Sequence, residues 1–328
     1  MSFYKKVENT SDLNDQVPVL ESYLPNSIIY ITLYCLAVPP NILLAYMGLK
    51  KGLISARVKY PTLGMTIANL YGLFGFLMLN SVYLIMLFGN IKLSLFLCSF
   101  LRTVIYNTTY VIYFLFPVLA IDQWLLVCHN CDLSIKTLTV IILTCFIIPM
   151  LIAIYDLCLQ DVLLYDYIFA YIRMSPYTNV FVFFVLSPSF FIFSFICNLL
   201  VLSSIVRRQS KAARKQSGRS LNPRHLQQQK AIVYTYILQA FMPLVLATPY
   251  YIANVFLMCS VDINMIWFTV GEAIIGIHPL SNALINLILL RPYRRALRKM
   301  WMKNESKNVQ YDSITIANTH FMDGDCFL

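Results

Sequence analysis

Charge is scarce in this chain. Only 12% of its 328 residues are Asp, Glu, Lys or Arg, against roughly 25% in a soluble domain. The charges that do occur leave long gaps. None lies from Pro25 to Leu49, from Tyr60 to Ile91, from Thr137 to Tyr155, from Met174 to Val206 or from Ala231 to Val261. The stretch from Leu93 to Ile121 is broken only by Arg102, and that from Ile263 to Leu290 only by Glu272. Histidine is scarcer still, with four in the chain. His129, His225 and His320 lie between or beyond the apolar stretches, and His278 alone lies within one. They cannot converge on a metal, which excludes the intramembrane zinc hydrolases, whose sites need several histidines and a carboxylate. No enzyme, metal or cofactor is expected. The nine cysteines are too scattered for a metal site or a disulfide framework, and Cys326 misses the prenylation position by one residue. The first 26 residues lack the apolar core of a signal peptide. Internal repeats, which would suggest a transporter, are also missing.

What is present is seven apolar stretches, each long enough to cross about 30 Å of hydrocarbon as a helix. A lone spanning segment must satisfy its own backbone hydrogen bonds, so all seven are predicted to be helices. The composition, 59% hydrophobic with a mean hydropathy of +0.68, agrees. Loop charge sets the orientation. Lys50, Lys51, Arg57 and Lys59 follow span one, and Lys136 follows span three. Eight basic residues from Arg207 to Lys230 separate spans five and six, and seven from Arg291 to Lys307 follow span seven. The opposite side carries only Lys5, Lys6, Lys92 and Arg173. The positive-inside rule places the N-terminus outside and the C-terminus inside. The formal charge of +10 therefore points to anionic inner-leaflet lipid, not to nucleic acid. Residues 1–25 form an extracellular tail, 26–301 the seven-span domain, and 302–328 a cytoplasmic tail.

Asn9-Thr10-Ser11 is a glycosylation sequon on the outside; Asn107-Thr108-Thr109 also fits the pattern but lies within span three. Between Arg207 and Lys230 there is no acidic residue. Like charges resist compaction, so the middle of this loop is expected to be mobile and its ends to extend spans five and six. After span seven, Pro292 opens a run in which Tyr293, Ala296, Leu297, Met300 and Trp301 recur at helical spacing between basic residues. This predicts a short amphipathic helix over 291–301 lying on the inner membrane surface.

This all-α, seven-transmembrane helix bundle resembles the G-protein-coupled receptors. Cys98 and Asp122 are 24 residues apart, about 36 Å of helix, as are the span-three cysteine and the acidic residue of the Asp-Arg-Tyr motif in rhodopsin-like receptors. Here that motif would read Asp122-Gln123-Trp124. Asn41, Pro188 and Pro243 also match, and Asn282-Ala283-Leu284-Ile285-Asn286 takes the place of Asn-Pro-x-x-Tyr. The chain is more closely similar to nematode serpentine chemoreceptors of the Str and Srh group, through Gln239 followed by Pro243 and through Pro292-Tyr293-Arg294. It departs from the rhodopsin pattern at Gln123, at Phe241 and in a span two without Asp or Glu.

The resemblance implies a chemosensory receptor of the plasma membrane, the sensory cilium included, that binds a small organic ligand outside and activates a heterotrimeric G protein inside. A peptide or neuromodulator receptor is the alternative, and a channel or transporter is a more distant one. It implies a disulfide between Cys98 and Cys158, with Cys259 as the competing partner. It also implies coupling to the G protein through Asp122, Gln123, Arg207, Arg208 and Lys230. The candidate ligand-binding residues, placed by depth along their spans, are Arg102, Tyr106, Phe184, Phe241, Tyr251 and Glu272. For the two charges three readings stand: Arg102 snorkels while Glu272 lines a wet vestibule, the two form an ion pair, or one or both meet a polar ligand group. His278, followed by Pro279, is read as a contact at a helix bend.

Overall fold

The computed structural model describes residues 19–50, 56–129, 133–159, 185–214, 223–258 and 265–301, with short pieces at 14, 16–17, 54, 131, 163–165 and 171–173. The main helices are α1 (Leu24–Leu49), α2 (Ala56–Gly89), α3 (Leu95–Cys128), α4 (Ile135–Leu159), α5 (Ser187–Arg214), α6 (Pro223–Met258), α7 (Met265–Gly276) and α8 (His278–Leu289). A ninth, α9, covers residues 291–301. Among the described residues, seven spans are long and apolar enough to cross a membrane: Glu21–Leu49, Lys59–Gly89, Leu95–Cys128, Ile135–Tyr155, Ser187–Arg208, Val233–Ala253 and Thr269–Leu289. The chain is a multi-pass helical membrane bundle. Each span coincides with a charge-poor stretch of the sequence, because only a helix closes its own hydrogen bonds without water.

α3 runs through the middle of the bundle, packed against α2, α4 and α5, and α1 closes the ring against α7 and α8. Two ends of the bundle can be told apart by their clusters. At the Tyr23 end, Tyr23 donates to Asn80 Oδ1 (3.1 Å) and stacks edge-on against Tyr83, whose hydroxyl donates to the Leu20 carbonyl (2.6 Å). There β1 (Gln16–Val17) pairs antiparallel with β2 (Leu93–Ser94), tying the N-terminal segment to the start of α3. A second antiparallel strand pair, β3 (Leu163–Tyr165) with β4 (Tyr171–Arg173), lies against α3 through β4. Local signals set these boundaries. Asn90 takes the left-handed φ of +48° that ends α2, with Ile91 N–H returning to the Met86 carbonyl (3.0 Å). Ser94 caps α3 by accepting from Leu97 N–H (3.3 Å).

At the Tyr293 end, α9 docks by burying Tyr293 and Ala296 among Leu44, Met47, Ile54, Ala283 and Leu290. Leu297 and Met300 pack beside them, and Arg291, Arg294, Arg295, Arg298 and Lys299 are exposed. Trp301, also on this helix, is 70% exposed and does not pack against the bundle. Burial pushes the Tyr293 phenol up to about 12, with Thr62 pulling weakly the other way. Since an unfolded tyrosine ionises near 10, the docked helix should lose stability as the pH rises above about 10. The Tyr293→Phe protein should lack that component, so the gap between the two thermal midpoints should change between pH 8 and pH 11.5. A constant gap would show that the phenol does not titrate with unfolding.

Span seven is not one continuous helix. It breaks at Ile277, where Pro279 removes an N–H, and Ile277 N–H bonds back only three residues to the Ile274 carbonyl (3.2 Å). Two glycines let the broken span approach its neighbours. A Cβ on Gly276 would lie 3.1 Å from Leu33 of α1, and one on Gly271 would lie 3.1 Å from the Tyr250 backbone of α6. Small residues at such crossings are how helices pack closely in lipid.

Candidate functional site

Several buried amides and hydroxyls in the spans donate locally, within their own helix. Asn80, Asn107 and Asn198 each donate to the carbonyl four residues earlier. Asn107 is thereby sealed inside α3, so its sequon is out of reach. Others bridge spans. Asn41 of α1 donates to the Ala37 carbonyl (2.9 Å) and to the Pro279 carbonyl of α8 (3.1 Å). Asn69 of α2 donates to Asn41 Oδ1 (3.4 Å), and Gln239 of α6 donates to Asn282 Oδ1 of α8. Asn41 thereby ties α1 to the first turn of α8, just past the break in span seven. These amides join spans one, two, six and seven.

Directly above this network, toward the Tyr23 end, lies a cavity enclosing about 920 Å³ including its opening. Every span except the fourth contributes to it. Its walls are aromatic. Tyr30 and Tyr34, one turn apart on α1, face Phe76 of α2 with ring centroids 5.7 and 5.6 Å away. Tyr113 meets Phe191 edge-on at 5.2 Å across α3 and α5. Tyr250 and Tyr251 close the α6 side. Asn69 and His278 supply the polar atoms at its base. Among the described lining residues there is no charged side chain. A concave, mostly apolar chamber with a few convergent polar groups is the general form of a small-molecule site.

Of the six candidate ligand-binding residues, Tyr251 lines this cavity. Arg102, 7% exposed, lies on α3 eleven residues from Tyr113, about 16 Å nearer the Tyr23 end. Phe241 is 45% exposed and stacks on Phe195 at the outside of the bundle, away from the cavity. Phe184 lies outside the described residues, as do the side chains of Tyr106 and Glu272. Cys98 and Cys158 stand as separate thiols, Cys98 buried in the cluster that holds Tyr23 and Leu93 and Cys158 exposed near the end of α4. Cys259 and Asn9 lie outside the described residues.

At the other end, Asp122 and Gln123 are buried, and Gln123 Nε2 donates to Asp122 Oδ2 (3.2 Å). One turn further, Val127 packs with Val201 and Ile205 of α5 and Val233 of α6, just before the exposed Arg207 and Arg208. The candidate coupling residues on α3 and α5 thus gather at one end. The side chain of Lys230 lies outside the described residues. The sequence reasoning missed Tyr30, Tyr34, Asn69 and Tyr113 as site residues, and it assigned His278 to the bend without the cavity beside it. A tyrosine pair one turn apart and lone polar side chains in otherwise apolar spans were the available signals. No protein-family model matches the chain, and no curated protein does.

Proposed function

We propose that this chain is a G-protein-coupled receptor of the chemosensory kind, binding a small organic ligand from outside and activating a heterotrimeric G protein inside. The observation that carries the reading is the separation of two features along one seven-span bundle. An aromatic cavity sits toward one end, and a buried carboxylate–amide pair beside basic helix ends sits at the other. Loop charge supports an outer N-terminus, which makes the cavity end extracellular. The plasma membrane is the location this implies. Ligand binding would act by shifting a two-state bundle toward an open inner face, with the prolines of α6 allowing it to bend. The test is a G-protein activation screen in transfected cells against small molecules and peptide pools. Activation by small molecules is the expected result; activation by peptides alone would replace the chemosensory reading, and silence with surface-expressed protein would count against both.

The coupling site has its own test. Alanine at Arg207, Arg208 and Lys230 together should lower signalling several-fold, by removing charge complementary to an acidic partner surface, while ligand binding and surface expression persist. Undiminished signalling in the triple variant would take this region out of the coupling site.

A further inference from the structure

Hydrogen-bond direction around Asn69 decides what the cavity asks of its occupant. The amide nitrogen of Asn41 is committed to two carbonyls, those of Ala37 and Pro279. Its Oδ1 must therefore be the atom facing Asn69, and it accepts from Asn69 Nδ2. That leaves Asn69 Oδ1 as the uncommitted atom of a residue that lines the cavity. It is buried, on a residue only 2% exposed, and has no hydrogen-bond partner among the described residues. His278 Nε2, lining the same cavity, is buried and without a partner in the same sense. An acceptor and an imidazole nitrogen left open together cost free energy until something fills them. A hydroxyl answers both, donating to Asn69 Oδ1 while accepting from, or sharing with, His278. The walls around them mix phenols and phenyl rings with aliphatic side chains such as Leu73, Ile112 and Leu246, and no carboxylate, lysine or arginine is among the described lining residues to pair with a charged ligand.

We infer that the cavity takes an uncharged aromatic molecule bearing one hydroxyl group, anchored by Asn69 of span two and His278 of span seven. This rests on the receptor reading for its biological meaning, though the binding itself does not need a G protein. It differs from the site expected from sequence, since its anchors are on spans two and seven and neither is charged.

The probes are 4-ethylphenol, its methyl ether 4-ethylanisole, ethylbenzene, and the cationic phenol tyramine. Each is titrated against the full chain in nanodiscs, and apparent Kd is taken from the rise in thermal midpoint. 4-Ethylphenol should bind about tenfold more tightly than ethylbenzene or 4-ethylanisole, since only it satisfies the Asn69 acceptor. Asn69→Leu should level the three neutral probes, His278→Phe should do so in part, and His278→Gln, which keeps a donor and an acceptor, should retain the preference. The wild-type series stands alone should a variant not fold. Equal binding of ethylbenzene, tightest binding of tyramine, no binding by any probe, or a preference unchanged in both Asn69→Leu and His278→Phe would each overturn the assignment. Binding of 4-ethylphenol without G-protein activation in cells would keep this site and count against the signalling reading.

Discussion

Substituting leucine for Gly271 is expected to leave little folded protein at the cell surface, and alanine there to cost about 1–3 kcal/mol of stability. The reason is what a side chain at this position would meet. An ideal Cβ lies 3.1 Å from both Cα and N of Tyr250, and 3.3 Å from its Cβ. Backbone atoms in the middle of a helix cannot rotate aside, so α7 would have to move away from α6. Tyr250 lines the cavity, so the displacement would also open its wall. Gly64 is the control. A Cβ there meets only the Cδ1 and other side-chain carbons of Ile142, 3.3 Å and more away, and that flexible chain can repack. Gly64→Ala should therefore be close to neutral. Surface expression and thermal midpoint of the four variants, with leucine as well as alanine at each site, would measure the contrast. Equal losses at the two glycines would mean that the approach of span seven to span six is not what limits the fold.

The spans were readable because lipid imposes a one-dimensional rule. A charge-poor stretch of sufficient length has one stable conformation, and no tertiary detail is needed to see it. The docked part of α9 was readable for a similar reason, since Tyr293, Ala296, Leu297 and Met300 recur at helical spacing and share one face. The candidate site was only half readable. Counting residues from landmarks such as Cys98 and Pro243 gives depth along a span, but not the direction a side chain faces around it. Phe241 shows the difference. The cavity-lining positions on α6 are Pro243, then Leu246 and Ala247, then Tyr250 and Tyr251, a stripe that returns every three to four residues. Two residues before Pro243 means about 200° around the helix at 3.6 residues per turn, so Phe241 turns outward. In a soluble helix polarity would have marked that face. Here both faces are apolar, one toward lipid and one toward protein, and the period carries no sign. Asn69 and His278 were visible as residues, but that both line one cavity depends on how spans two and seven turn about their axes, which the sequence does not mark.

Those amide contacts predict the second large effect. Gln239 donates to Asn282 Oδ1, and both residues are at most 2% exposed. Among the described residues Asn282 Nδ2 has no partner, so the Gln239 contact is the hydrogen bond that its side chain makes there. The position has a further weakness: Pro243, four residues on, supplies no N–H to the Gln239 carbonyl. Span six is therefore joined to span seven by this amide contact at the very turn where its own helix is least constrained. Gln239→Leu should leave the Asn282 side chain buried with no described partner, at about 1–3 kcal/mol. Asn282→Leu should do the same to Gln239. The double variant should be more stable than the sum of the singles implies, because two apolar side chains leave nothing unsatisfied. If the bundle has a second state in which spans six and seven separate, releasing the contact also favours that state. A bias of 1–3 kcal/mol corresponds to roughly 5–150-fold in population, so ligand-independent signalling should rise in both single variants. Thermal midpoints in nanodiscs and basal G-protein activation in cells separate the two consequences. Strictly additive losses in the double variant would show that the two amides are not coupled. Coupling without raised basal activity would make the contact a structural fastening, with any moving joint of the bundle elsewhere.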